Sequence, residues 1–174
     1  MRLTISTDVI QVFDKKIKKN LTSVLFVCLG NICRSPTAEA VFRHKAAHEG
    51  LAIDIDSAGT LGAHIGSTPD KRSTAVGEER GYNFKKIKCR KVEVKDFARF
   101  DYVIAMDKNN VRALLEICPE EYQHKIALMM SFCDAEEEEV PDPYFGGKRG
   151  FEYVLDLIEK ASDGLIDHIK ARFA

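Results

Sequence analysis

The chain alternates between short unbroken apolar runs and longer segments whose apolar residues return every three or four positions. Ser23-Val24-Leu25-Phe26-Val27 is rich in β-branched and aromatic residues, so it predicts a strand buried on both faces. Thr37-Ala38-Glu39-Ala40-Val41-Phe42 reads as a helix, predicted from Ser35 to about Glu49 and stopped at Gly50. Leu51 to Asp56 alternates Ile53 and Ile55 with Asp54 and Asp56, the pattern of a second strand. Pro69-Asp70 opens a helix through Arg72, Ala75 and Glu79 that ends at Gly81. Asp96 and Phe97 predict a short turn before a third strand, Asp101-Tyr102-Val103-Ile104-Ala105-Met106. Val111, Leu114, Leu115 and Cys118 fall on one helix face, which predicts a buried Cys118. Lys125 to Met130 predicts a fourth strand. Phe151, Val154, Leu155, Ile158, Leu165, Ile166 and Ile169 trace the stripe of a long C-terminal helix.

Strands alternating with helices predict an α/β fold, a single doubly wound domain with a mainly parallel sheet and helices on both faces. With 174 residues, 45% of them apolar, the chain suits one domain with a sizeable core. Residues 1–22 precede the first strand as an N-terminal extension, and residues 23–174 form the domain. Leu3, Ile5, Val9, Ile10, Val12 and Phe13, followed by Lys15, Lys16, Lys18 and Lys19, suit a packed arm or edge element better than a docking arm.

Net charge is −1, so no global field draws nucleic acid or an anionic membrane. No apolar run is long enough for a span and no export signal is visible, which predicts a cytoplasmic protein without a membrane partner. Five cysteines without framework spacing fit reduced thiols. His44 and His48 lie four apart on the first helix, but no third ligand accompanies them, so they read as packing histidines.

The chemistry concentrates where the first strand meets the first helix, at Cys28-Leu29-Gly30-Asn31-Ile32-Cys33-Arg34-Ser35-Pro36. Gly30 and Asn31 tolerate the left-handed backbone that lets successive N–H groups curl toward one centre at the positive end of a helix. A dianion fits such a nest. Arg34 adds a planar fork of donors suited to two phosphate oxygens. The same positive surroundings favour a thiolate at Cys28 and make it a nucleophile. Ser35 and Pro36 stand where a helix takes its N-cap and first turn, and the Ser35 hydroxyl is within reach of the sulfur.

This string resembles the active-site loop of the low-molecular-weight protein tyrosine phosphatases. A second motif far downstream, Val140-Pro141-Asp142-Pro143-Tyr144-Phe145-Gly146, resembles the general-acid loop of that family. Two prolines hold Asp142 on a stiff turn. Asp56-Ser57-Ala58-Gly59-Thr60 and Met106-Asp107-Lys108-Asn109-Asn110 match further family signatures. The resemblance implies a four-stranded sheet in the order 2-1-3-4 and hydrolysis of phosphotyrosine in proteins through a cysteinyl-phosphate, with no metal or cofactor. It implies Cys28 as nucleophile, Arg34 and the N–H groups of Leu29, Gly30, Asn31, Ile32, Cys33 and Arg34 as phosphate ligands, and Asp142 as general acid. Asn31, Ser35 and Asp107 support the site, with Asp107 read as a helix cap. Ala63, where relatives often carry an aromatic residue, forms the substrate cleft with His64, Tyr144 and Phe145. Cys33 is the candidate redox partner of Cys28. Arg90 reads as a structural ion-pair residue, and the run Glu136 to Glu139 as a solvated loop.

Two other activities share this chemistry. An arsenate reductase needs resolving thiols after the third strand, where Met106 and Asn109 to Val111 stand instead. A protein arginine-phosphate phosphatase tends to carry Thr at the position of Ile32, so Ile32 favours phosphotyrosine. A protein that only binds phosphorylated ligands would not need Cys28, Arg34 and Asp142 together.

Overall fold

A computed structural model describes residues 21–173, so the extension predicted for residues 1–22 lies almost wholly outside the described residues. Strand β1 (Thr22–Cys28) leads through the loop into helix α1 (Arg34–His48), then β2 (Ile53–Gly59), α2 (Lys71–Glu79), α3 (Val94–Arg99), β3 (Tyr102–Ala105) and α4 (Lys108–Ile117). A 3-10 turn, Glu120–Lys125, precedes β4 (Ile126–Leu128), and a second, Met129–Phe132, follows it; α5 (Lys148–Ala171) closes the chain. The four strands form one parallel sheet in the order β2-β1-β3-β4.

Alternation along β1 builds a core on each face. Val24 and Phe26 point to the face covered by α1 and α5, where Phe42, Leu155, Ile158, Leu165 and Ile169 are buried. Leu25 and Val27 point to the other face and pack with Phe97, Phe100, Leu114 and Cys118. Each fully buried Phe or Leu contributes roughly 1.5–3 kcal/mol. His44 and His48 pack against each other, with ring centroids 4.5 Å apart, and His44 lies edge-on to Tyr82.

Three elements differ from the pattern-based reading. β2 runs three residues further, because Ser57, Ala58 and Gly59 pair with Phe26, Val27 and Cys28 in the backbone ladder whatever their side chains. The segment around Asp96 is a helix, closed by a reciprocal capping box between Glu93 and Asp96. β4 keeps only three residues, since its flanks wind into 3-10 turns. Among the described residues no helix is long and apolar enough to cross a membrane.

Register brings the strand ends to one rim. Cys28 stands opposite Gly59, and Val27 opposite Ala105. The Met106 N–H donates to the Val27 carbonyl (3.0 Å) and the Val140 N–H to the Met106 carbonyl (2.8 Å), which draws the Asp142 segment to the same edge.

On the far side, Gly164 of α5 meets the 3-10 turn after β4 so closely that a Cβ there would sit 1.7 Å from the Phe132 carbonyl oxygen. Gly164→Ala should therefore destabilise by about 2–3 kcal/mol and lower Tm by roughly 5–10 °C in a thermal melt followed by circular dichroism.

Candidate active site

Cys28 ends β1, and the chain then turns through Leu29 to Cys33 before α1 begins at Arg34. Asn31 makes that turn with a φ of 54°, in the left-handed region that Asn tolerates. Its side chain is buried and fully used. Nδ2 donates to Ser35 Oγ (2.9 Å) and Ser57 Oγ (3.0 Å), and Oδ1 accepts from the Arg90 N–H (2.9 Å). Gly59 makes room for this turn, since a Cβ there would lie 2.9 Å from the Leu29 carbonyl oxygen. Ser57 in turn donates to Glu39, a buried carboxylate on α1 that also pairs with Arg43. Burial pushes the Glu39 carboxyl above its ordinary range, against the pull of Ser57 and Arg43.

Around the sulfur, the Asn31 N–H points at Cys28 Sγ (3.3 Å) and Ser35 Oγ lies 3.0 Å from it. Ser35 is not the helix cap expected of it. Cys33 takes that position, and Ser35 instead reaches back to Cys28 and to the Ala58 carbonyl (3.3 Å). Among the described residues the N–H groups of Leu29, Gly30, Ile32 and Cys33 find no protein acceptor.

Arg34 is buried under the loop. Its Nη1 donates to Asp107 (2.6 Å) and to the Val140 carbonyl (3.1 Å), and its Nη2 faces Asp142 at 3.6 Å. Asp107 caps α4 through a box with Asn110, as expected, and also holds Arg34, which was not expected. Asp142 is half exposed, at 49% of its side chain, and accepts from the Tyr144 N–H (3.0 Å).

A cavity of about 200 Å³ opens between these groups, lined by the loop, His64, Asp142, Tyr144 and Phe145. Phe145 is 98% exposed and stands edge-on to Tyr144. Ala63 does not line the cavity and is exposed; His64, one residue later, forms that wall above Gly30. Arg72 of α2 is a further contributor that sequence patterning passed over. It grips Asp70 with two donors, donates to the Tyr144 carbonyl (2.8 Å) and lies over the Tyr144 ring.

Other charged groups serve the frame. Arg90 pairs with Asp56 and Asp96, as expected. The glutamate run is a solvent-facing loop, with Glu136 and Glu138 exposed; at its surface Glu138 and Glu139 meet the start of α4 at Lys108, and Glu137 bonds the Tyr153 hydroxyl.

A strand-end cysteine beside loop N–H groups that have no protein acceptor, with an arginine and a carboxylate lining the same cavity, is the geometry of a cysteine-dependent phosphatase. Comparison with known proteins makes this narrower. Residues 23–173 match the family model for low molecular weight phosphotyrosine protein phosphatase, and the chain belongs to that family. It is 42% identical over 153 residues to a low molecular weight protein-tyrosine-phosphatase of Streptomyces coelicolor, covering 84% of this chain and 93% of that protein. It is 39% identical over 140 residues to the human low molecular weight phosphotyrosine protein phosphatase, covering 76% and 85%. Among solved structures, a protein tyrosine phosphatase from Entamoeba histolytica with Hepes in the active site superposes with a TM-score of 0.84 at 45% identity, covering 88% of this chain and 99% of that one.

The thiols differ in environment. Burial pushes Cys33 up to about 12, and burial likewise raises Cys89, Cys118 and Cys133. These four stay protonated at neutral pH. Cys28 lines the cavity, with the Asn31 N–H and the Ser35 Oγ against its sulfur. Brief iodoacetate treatment at pH 7 should alkylate Cys28 first, as read by peptide mass mapping. Equal or earlier labelling of Cys33 would contradict this ordering. Reaction at Cys33 should rise only as pH climbs toward 12, because its folded-state thiol gives up its proton later than an unfolded one does.

Proposed function

We propose that Cys28, Arg34 and Asp142 carry out phosphotyrosine hydrolysis in this enzyme. The observation that carries the reading is the meeting of the Cys28 sulfur, the Arg34 guanidinium and the Asp142 carboxylate on one cavity. Phosphoryl transfer is mainly positioning and charge stabilisation. The Cys28 thiolate attacks phosphorus in line with the leaving tyrosine oxygen. The N–H groups from Leu29 to Arg34, with the Arg34 fork, hold the three equatorial oxygens. Asp142 gives its proton to the departing phenolate, leaving a cysteinyl-phosphate. As a carboxylate it then takes a proton from water, which attacks phosphorus and frees phosphate and the thiolate.

Ser35 fits the second step. Its oxygen already accepts from Asn31, so its single proton goes either to the Ala58 carbonyl or to Cys28. A charged sulfur is the stronger acceptor, and the hydroxyl therefore stabilises the thiolate as it leaves. Leu29, Ile32, His64, Tyr144 and Phe145 form the walls for the tyrosine ring. Asp107 positions Arg34. Cys33 serves as a redox partner: a peroxide oxidises the Cys28 thiolate to a sulfenic acid and is itself reduced, and the Cys33 thiol then displaces the hydroxyl as water, forming a disulfide that blocks deeper oxidation. Five free thiols also fit a reducing, cytoplasmic location.

Hydrolysis of phosphotyrosyl and phosphoarginyl peptides without added metal tests the reading. Phosphotyrosine should be the preferred substrate. Cys28→Ser should abolish turnover, and Asp142→Asn should lower kcat by about 10²–10⁴-fold. Preference for phosphoarginine would keep the chemistry but change the substrate; full activity in Cys28→Ser would end the proposal.

A further inference from the structure

One basic groove plays no part in this chemistry. Lys71, at the start of α2, and Lys85, Lys86 and Lys88, in the segment after it, rim a groove of about 350 Å³. Phe84 and Ile87 give it a buried apolar floor, and Glu78 is its one acidic lining residue. Nearby arginines already have carboxylates: Arg72 has Asp70, Arg80 has Asp156 and Glu159, and Arg90 has Asp56 and Asp96. Among the described residues the four lysines have none, and all four are exposed.

The groove is held in shape. Phe84 packs on α2 so closely that a Cβ at Gly77 would lie 2.4 Å from its ring. The Lys85 N–H donates to Asn83 Oδ1 (2.8 Å), and the Ile87 N–H to the Phe84 carbonyl (3.2 Å), closing a turn with Lys85 and Lys86 at its tip. Lys86 holds a φ of 71°, where such a turn prefers glycine. A side chain is kept there against backbone strain, and what it presents is positive charge.

The groove also adjoins the cleft. The Asp70 N–H donates to the carbonyl of Ile32, a cleft residue (2.8 Å), and Pro69 before it lines the groove. From His64 in the cleft to Thr68 in the groove is at most about 14 Å of extended chain. The glutamates before Asp142 lie elsewhere on the rim, against Lys108 after β3, whereas the groove follows β2. The rim is thus basic on one side of the cleft and acidic on the other.

We propose that this groove docks an acidic segment of the protein substrate, favouring phosphotyrosines with Asp or Glu about four to eight residues away along an extended peptide. This rests on the Cys28 cavity being the phosphotyrosine site. Exposed ion pairs are individually weak and screened by salt, so the effect comes from four acting together at low ionic strength. Because no residue of the groove lines the Cys28 cavity, it acts on KM and leaves kcat alone.

The test compares phosphotyrosyl peptides of equal length carrying four Glu on the amino side, four Glu on the carboxyl side, or Gln in their place. At about 20 mM salt one acidic peptide should show a kcat/KM about tenfold above the Gln peptide, through KM, and the gap should close at about 0.5 M. Combined Lys71→Ser, Lys85→Ser, Lys86→Ser and Lys88→Ser should erase it while p-nitrophenyl phosphate turnover is unchanged. Lys86→Gly, which suits the turn, should reduce it without lowering Tm, separating charge from folding. Equal kcat/KM for all peptides at low salt, or an advantage that survives the fourfold substitution, overturns the proposal. So does an RNA oligonucleotide that binds the groove more tightly than the unphosphorylated acidic peptide. Absence of p-nitrophenyl phosphate turnover in the unaltered protein would instead strike the catalytic reading; fluorescence anisotropy with the unphosphorylated acidic peptide then decides the groove alone.

Discussion

The fold and its site meet at the buried side chain of Asn31. Its backbone is in a conformation that few residues accept, and its amide is satisfied by Ser35, Ser57 and the Arg90 N–H, which belong to three different parts of the chain. Every donor and acceptor in such a low-dielectric network matters, because a buried group left unpaired costs about 1–3 kcal/mol. The loop is therefore held in its curve by hydrogen bonds behind it. Among the described residues the N–H groups of Leu29, Gly30, Ile32 and Cys33 have no protein acceptor, so no turn or strand consumes them.

Much of this could be read from local pattern. The strand Val24–Val27, the small and left-hand-tolerant loop and the following helix are contiguous, so periodicity and residue type report them directly. The sheet order and the pairing of Cys28 with Asp142 came from resemblance to a family, since nothing local relates two segments over a hundred residues apart. What escaped was long-range. Asp107 has the sequence signature of a helix cap, and only the fold reveals that its other oxygen reaches Arg34. Arg72 reads as an exposed helix residue until the Tyr144 carbonyl comes beside it. Ser57-Ala58-Gly59 has the composition of a turn and becomes strand because β1 offers it a ladder. The wall assigned to Ala63 moved to His64, as loop geometry decides which of two neighbours faces inward.

The charges of the site form a balance that a dianion disturbs in a useful direction. Asp107 is bound to Arg34 at 2.6 Å and caps α4, so it stays where it is. Asp142 is the looser partner, at 3.6 Å and half exposed on its proline-bounded turn. A phosphate dianion in the loop would compete with Asp142 for the same guanidinium. In the proposed mechanism Asp142 is left negative once the phenolate has taken its proton, beside a phosphoryl group that is bound to sulfur and less charged than the incoming dianion. A carboxylate there can orient and deprotonate water. In the proposed mechanism Arg34 is the common counter-charge of both steps, and its tie to Asp107 keeps the fork aimed while the more exposed Asp142 exchanges the proton.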